Sequence, residues 1–289
     1  MTKQRPFPQC VVRFFSNVDF ALDTIGTQQI TLVHASLVND PFDPYLFFET
    51  DFNAGYQQLL DYIHHTHPND FGWFINEFPA EAWPHSVDSV RKYFADLKNR
   101  MFIFSTTAVY SDDHPKDNLY MWGHYGNGHR GVAIEFNTTE IVQPIVDEYN
   151  SNNAEKLTAK GAWTRIDYAK NLPVITCSMF YDFLKAEHYK ETRSTKLHQY
   201  YDLISQTKSL NWSSENEWRL LWQRDDTRSK IIRRPINERA IERVYLGLSI
   251  SKSAQDDILF ETRQKYPAAE VVKAEKRHGA FALDFKTVS

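Results

Sequence analysis

The chain has 289 residues, a formal charge of -4 and 42% hydrophobic residues, so it can bury a sizeable core and lacks the global basic field of a protein that wraps duplex nucleic acid. Its two cysteines, Cys10 and Cys177, lie far apart, which excludes a disulfide framework and a cysteine-based zinc site. The aromatic content of 15% supplies rigid packing and stacking surfaces.

No stretch approaches the ~20 apolar residues of a membrane span, and Met1–Pro8 has no apolar leader core. The expectation is a cytoplasmic protein without a membrane partner. No repeat, low-complexity tract or Gly/Ser linker divides the chain. One domain over 1–289 is expected, with its core at about 11–285.

Residues 11–15 read as a strand, Ser16 as a helix N-cap, and 30–34 as a second strand, a β-α-β opening. Pro41 and Pro44 make 39–44 a loop whose Asn and Asp residues favour turns. Helical spacing follows near 53–66, 68–78 and 86–98, expected to cover one side of a sheet. A buried strand at 101–105, a polar loop to Asp117, a helix over 118–125 and a strand at 131–136 come next. A helix and loop fill 138–160, strands 163–168 and 174–176 follow, and 180–206 reads as one long helix. The remainder reads as strands 217–223, 231–234, 241–247, 269–274 and 280–285, with a capped helix over 251–265. Helices cluster and strands cluster, so the fold class is α+β, with a central, mostly antiparallel sheet and helices on its faces.

Residues 208–222 are the most informative stretch. Alternate strand residues share a face, so Glu215, Glu217 and Arg219 are expected to project together while Trp218, Leu220 and Trp222 face the core. The basic run 224–234 reads as a solvated hairpin loop. His64, His65 and His67 read as a solvated helix end, because neighbouring helix positions point apart. No P-loop, Gly-x-Gly-x-x-Gly, Gly-x-Ser-x-Gly or His-Glu-x-x-His element occurs.

Several motifs together resemble a bacterial family, domain of unknown function 2971: Asn39–Asp43, Phe104-Ser105, Met121-Trp122-Gly123-His124-Tyr125, His129–Phe136, and Lys208 with Trp212-x-x-Glu215-x-Glu217-Trp218-Arg219. Gly123 stands where that family often has serine. The resemblance implies a cytosolic bacterial protein, often associated with defence against phage or with mobile elements, and names no activity.

A second resemblance bears on chemistry. Arg13, Ser105-Thr106-Thr107 and Glu215-x-Glu217 are similar to the Arg, Ser-Thr-Ser, Glu-x-Glu signature of ADP-ribosyltransferases, with Thr107 in place of the last serine and a wider spacing between the last two motifs. It implies an ADP-ribosyltransferase-like fold and NAD as co-substrate, with no metal. Arg13 would hold the diphosphate, and Phe14, Tyr110 or Tyr125 would stack on nicotinamide. Ser105 would orient Glu217, the catalytic carboxylate, and Glu215 would contact a nucleic-acid or protein acceptor. His124 is a further acid–base candidate, and Arg130 an anion-binding one.

Plainer readings compete with these. Glu217 and Arg219 can pair within the sheet, Glu215 can cap a turn, and Arg13 can join Asp40 or Glu135 in an ion pair. A non-catalytic module for nucleotide, nucleic-acid or protein recognition is the alternative function. A metal-dependent phosphodiesterase using Asp40, Asp43, Glu217 and His124 is the third. The sequence leaves the oligomeric state open.

Overall fold

A computed structural model describes residues 6–40, 43, 47–48, 52–154, 156–190, 201–203, 205–224 and 228–288. The expectations for residues 41, 42 and 44, for 191–200 and for 225–227 lie outside the described residues.

The chain opens with β1 (Cys10–Phe15), α1 (Val18–Thr27) and β2 (Gln29–His34), the expected β-α-β unit. The cap of α1 is Asn17, one residue later than expected, with its side chain accepting from the Asp19 amide at 2.9 Å. β3 (Phe47–Phe48) precedes α2 (Phe52–Thr66), α3 (Phe71–Glu77) and α4 (Trp83–Arg100). Next come β4 (Met101–Ala108), α5 (Leu119–His124), β5 (Val132–Asn137) and α6 (Gln143–Asn152).

The single strand expected over 163–168 is two, β6 (Trp163–Arg165) and β7 (Asp167–Ala169), because the buried Ile166 marks where the chain leaves one partner for another. β6 pairs with a strand of the main sheet, whereas β7 runs parallel to β9 (Thr207–Ser209). β8 (Val174–Ile175) and α7 (Cys177–His188) lie between them. The long helix expected over 180–206 is interrupted, because α7 stops at His188 and Lys190 turns left-handed at φ 54°, while 201–203 and 205–206 are helical as expected. The chain finishes with β10 (Glu217–Gln223), β11 (Ile231–Pro235), β12 (Ile241–Leu246), α8 (Lys252–Lys265), β13 (Glu270–Lys276) and β14 (Leu283–Thr287).

Ten strands form one sheet along the path β11-β2-β4-β1-β5-β12-β13-β14, with β10 beside β4 and β6 beside β10. Every pairing in it is antiparallel except β12 with β13. The chain thus adopts the expected α+β architecture.

The sheet forks at β4. One edge of β4 pairs with β10 from Met101 to Thr107. The other edge is shared, with β2 at Phe102 and Ile103 and β1 at Thr107 and Ala108. Phe104, Ser105 and Thr106 face the gap where β1 and β2 separate.

One sheet face is covered by α1, α6 and α8, whose Ala21, Ile25, Ile145, Val146 and Ile258 pack with Phe102, Phe104, Trp218 and Leu220. On the opposite face α5 inserts Trp122 against Val12, Ala133 and Tyr245. The three helices α2, α3 and α4 differ from expectation: they bury Leu59, Ile63, Phe74, Val87 and Val90 against Phe180 and Leu184 of α7, in a core of their own. Their apolar stripes find each other and α7, so the sheet is not what completes them. No described helix is long and apolar enough to cross a membrane.

Candidate functional site

The fork opens into a cleft of about 310 Å³. Its walls include Val12, Arg13 and Phe14 of β1, Ser105, Thr106 and Thr107 of β4, and Met121 and Tyr125 at α5. Lys208, Glu215, Glu217, Arg219 and Asp43 also line it.

Arg13 lies one residue beyond the last β1–β4 pair, Val12 with Thr107. The strands part there, and its guanidinium fills the gap. Nη1 donates to the Ser105 carbonyl at 3.1 Å, a backbone acceptor with no strand partner on that side, and the group lies 4.5 Å from the Phe104 ring centre. Burial pulls the guanidinium down to about 10, with Glu217 pulling the other way, so it stays charged at neutral pH. Among the described residues Arg13 makes this one hydrogen bond and no ion pair. Glu135 does not pair with it; that carboxylate accepts from the Tyr245 hydroxyl and lies 3.4 Å from His114.

Glu217 opens β10. Strand alternation sends Glu217 and Arg219 into the cleft and Trp218 and Leu220 into the main core, as expected. Glu215 reaches the same cleft by another route. It ends a 3-10 helix (Leu210–Glu215), and Asn216, left-handed at φ 45°, turns the chain into the strand. Asparagine tolerates that conformation, and its side chain donates to Asp113 at 2.9 Å.

Five charged side chains interlock. Arg219 Nε donates to Glu217 Oε1 at 2.6 Å, and its two terminal nitrogens grip Asp43 as a fork, with Nη1 to Oδ1 at 2.8 Å. Nη2 also reaches Glu217 Oε2 at 3.1 Å, and Nη1 reaches the Ser205 carbonyl at 3.3 Å. Arg219's five N–H groups are matched by five such contacts. Lys208 Nζ bridges Glu215 Oε2 at 2.7 Å and Glu217 Oε2 at 2.9 Å. Lys208 is placed by the β7–β9 pair, which sets it opposite Tyr168. The Tyr168 hydroxyl in turn accepts from the Glu217 amide at 2.8 Å.

The two glutamates are tuned apart. Burial opposes the charge of Glu217, but Arg219 and Lys208, with a further pull from Ser105, hold it down to about 2. For Glu215, burial wins over Lys208 and raises the carboxyl above its ordinary range. Its Oε1 accepts from the Tyr125 hydroxyl at 2.5 Å, and Asn39 Nδ2 lies 3.3 Å from the same oxygen of Tyr125. Burial, then that hydrogen bond to Glu215, keeps the phenol protonated. A carboxylate ionised at neutral pH beside one with raised affinity for protons is a pairing that acid–base chemistry uses.

Of the residues singled out from sequence, the cleft gathers Arg13, Phe14, Ser105, Tyr125, Glu215 and Glu217. His124 and Tyr110 do not line it. His124 is exposed and packs edge-on outside Tyr125, with ring centres 4.7 Å apart. Tyr110 packs on the main core and forms a bridge with Asp113. Two acids of the third reading, Asp43 and Glu217, already have a cationic partner in Arg219, and no metal-holding group of His, Cys, Asp or Glu occurs among the described residues. Sequence reasoning missed Lys208 as the bridge and Asp43 as the far anchor of Arg219. Lys208 stands in the quoted motif, but nothing in the spacing says that it returns onto both glutamates.

The basic run is not one solvated patch. Arg233 pairs with Asp23 of α1 at 2.9 Å, and Arg234 lies 3.9 Å over the Trp222 ring.

Residues 121–220 match a family model described as Protein of unknown function (DUF2971). The chain is similar to that family from α5 to β10, a stretch that supplies Tyr125, Lys208, Glu215, Glu217 and Arg219 to the cleft. No curated protein and no solved structure matches the chain.

Proposed function

We propose that this cleft binds NAD and transfers its ADP-ribose to a macromolecular acceptor, as the Arg13, Ser105–Thr107 and Glu215-x-Glu217 pattern implies. The observation that carries this reading is convergence. A guanidinium, a hydroxyl and a carboxylate, remote from one another in the chain, meet where the sheet forks.

The residues present suit such a substrate. Arg13 keeps donors for a diphosphate oxygen, and forked guanidinium donors bind phosphate well. The 310 Å³ cleft is at the lower end of the size range of ligand pockets, about 300–1,000 Å³, enough for the nicotinamide riboside half with the rest reaching outward. Phe14 and Tyr125 offer rings for the nicotinamide.

NAD would supply an electrophilic ribose carbon as its glycosidic bond to nicotinamide lengthens. Glu217 is held as an anion beside Ser105 by three hydrogen bonds from Lys208 and Arg219. A preorganised carboxylate stabilises positive charge developing nearby at little reorganisation cost. Glu215, with its raised proton affinity and only two donors on it, suits removal of a proton from an incoming nucleophile.

One feature favours a second reading, a nucleotide-binding cleft without turnover: Glu217 is only 3% exposed and is bound by two cations. Glu217→Gln separates the two. Transfer predicts that nicotinamide release falls by about a hundredfold or more while binding persists, the size of loss seen when a preorganised electrostatic group is removed. Binding without turnover predicts no nicotinamide release from the wild type. A wild type that neither binds NAD nor labels cell extract with ADP-ribose removes the first reading.

A further inference from the structure

Tyr120, His124 and Trp212 form a surface cluster that the cleft chemistry does not use. α5 has two faces: Met121 and Trp122 are buried, while Tyr120 and His124, four residues apart, share the outer face. Their rings stack nearly parallel, with centres 5.5 Å apart and planes at 6°. Trp212, on the 3-10 helix before β10, meets His124 at 5.5 Å and 50°. Tyr120 remains 45% exposed and His124 is exposed as well.

Two contacts join this shelf to the cleft. His124 packs on the ring of Tyr125, and the Lys208 ammonium lies 5.3 Å from the centre of Trp212. Tyr125 and Lys208 both line the cleft, so the shelf is its outer lip. None of the three rings is needed to fill the core beneath α5, which Trp122 fills.

We propose that the shelf is a stacking subsite for a nucleobase. Near-parallel rings at the surface extend into a stack with one more flat heterocycle, and every base has a face that an aromatic ring accepts. The net charge of -4 suits an unpaired base better than duplex, because duplex binding rests on phosphate neutralisation. The base comes either from the adenosine half of the donor, which the small cleft leaves outside, or from a single-stranded acceptor. This inference rests on the nucleotide reading of the cleft.

The test uses the full chain and three probes, AMP, nicotinamide mononucleotide and a short unpaired oligonucleotide, with affinities from calorimetry. Expected is binding of AMP or of the oligonucleotide that weakens roughly tenfold in Tyr120→Ala and in His124→Ala, while Tyr120→Phe, which keeps the ring, restores it. Nicotinamide mononucleotide, whose single ring the cleft takes between Phe14 and Tyr125, binds the alanine variants as it does the wild type. AMP binding places the donor's adenine on the shelf, and oligonucleotide binding alone places an acceptor base there. If neither binds, or if the alanine variants bind both as tightly as wild type, the shelf is not a base site. Failure of the mononucleotide alone removes the NAD reading and leaves the shelf standing.

Discussion

Arg219 holds together groups that would otherwise repel. It is 1% exposed and bonds both Asp43 and Glu217, which are themselves buried. Removing one member of a buried ion network leaves its partners charged and unsolvated, at a cost of about 3–5 kcal/mol. Arg219→Met should therefore lower unfolding stability by about that amount in urea titrations. A loss under about 1 kcal/mol would mean that the network is wet and weakly coupled. Lysine is no substitute here, because a point charge cannot grip two carboxylates through a planar fork.

The same network sets the response to acid. Glu217 is lowered from 4.5 to about 2, so the stability it contributes is present above 4.5 and fades as pH falls toward 2. Glu215, raised, acts with opposite sign: its contribution is fullest below its ordinary value and is lost as pH rises through its folded value. Glu217→Gln should flatten the acid limb of the stability profile between those two pH values, whereas Glu215→Gln should leave that limb in place. Urea melts at stepped pH read both slopes, and an unchanged acid limb in Glu217→Gln would contradict the charge assignment.

At the scale of elements, the turn joining α5 to β5 keeps the lip of the cleft in position. A Cβ on Gly131 would lie 2.2 Å from the Phe15 carbonyl, and one on Gly247 would lie 2.4 Å from the His129 carbonyl. Backbone meets backbone at both places, so neither contact can yield by rotating a side chain. Gly247→Ala should cost about 1–3 kcal/mol or more by overpacking and shift the turn that follows Tyr125. Thermal melts and ligand affinity measured together check this; an unchanged melting point would show that the turn gives way freely.

These glycines also mark what a single sequence conveys. The alternation in 217–223 placed Glu217 and Arg219 on one face because one face of β10 is buried in the main core. Apolar runs located β1, β2, β4 and β5, and helical spacing placed α5 within 118–125. The fork in β4 was not legible, because partner choice along one strand edge leaves no local periodicity. Asp43 reads as a turn residue until β10 brings Arg219 to it, and Lys208 reads only as a motif position until β7 and β9 pair. Convergence of remote charges is a property of topology, which hydrophobic spacing does not encode.

The whole molecule has two main cores. The sheet core joins β1, β2, β4, β5, β10 and β12 with α1, α6 and α8, while α2, α3, α4 and α7 close around Leu59, Phe74, Val90 and Leu184. Much of the cleft is built on strands of the first, β1, β4 and β10, with α5 as its lip. Regions with separate apolar interiors can open with separate free energies. Phe74 is 0% exposed, so Phe74→Ala should destabilise the helical core by about 3–5 kcal/mol. Amide exchange in that variant should accelerate through α2, α3, α4 and α7 and change little in β1, β4, β5 and β12. The cleft's ligand affinity at low temperature should stay within about twofold of wild type, since a twofold change is about 0.4 kcal/mol and Phe74 does not line the cleft. Equal loss of protection in both sets of elements would instead mean that the helices and the sheet unfold as one cooperative unit, and that the fork depends on the helical core for its shape.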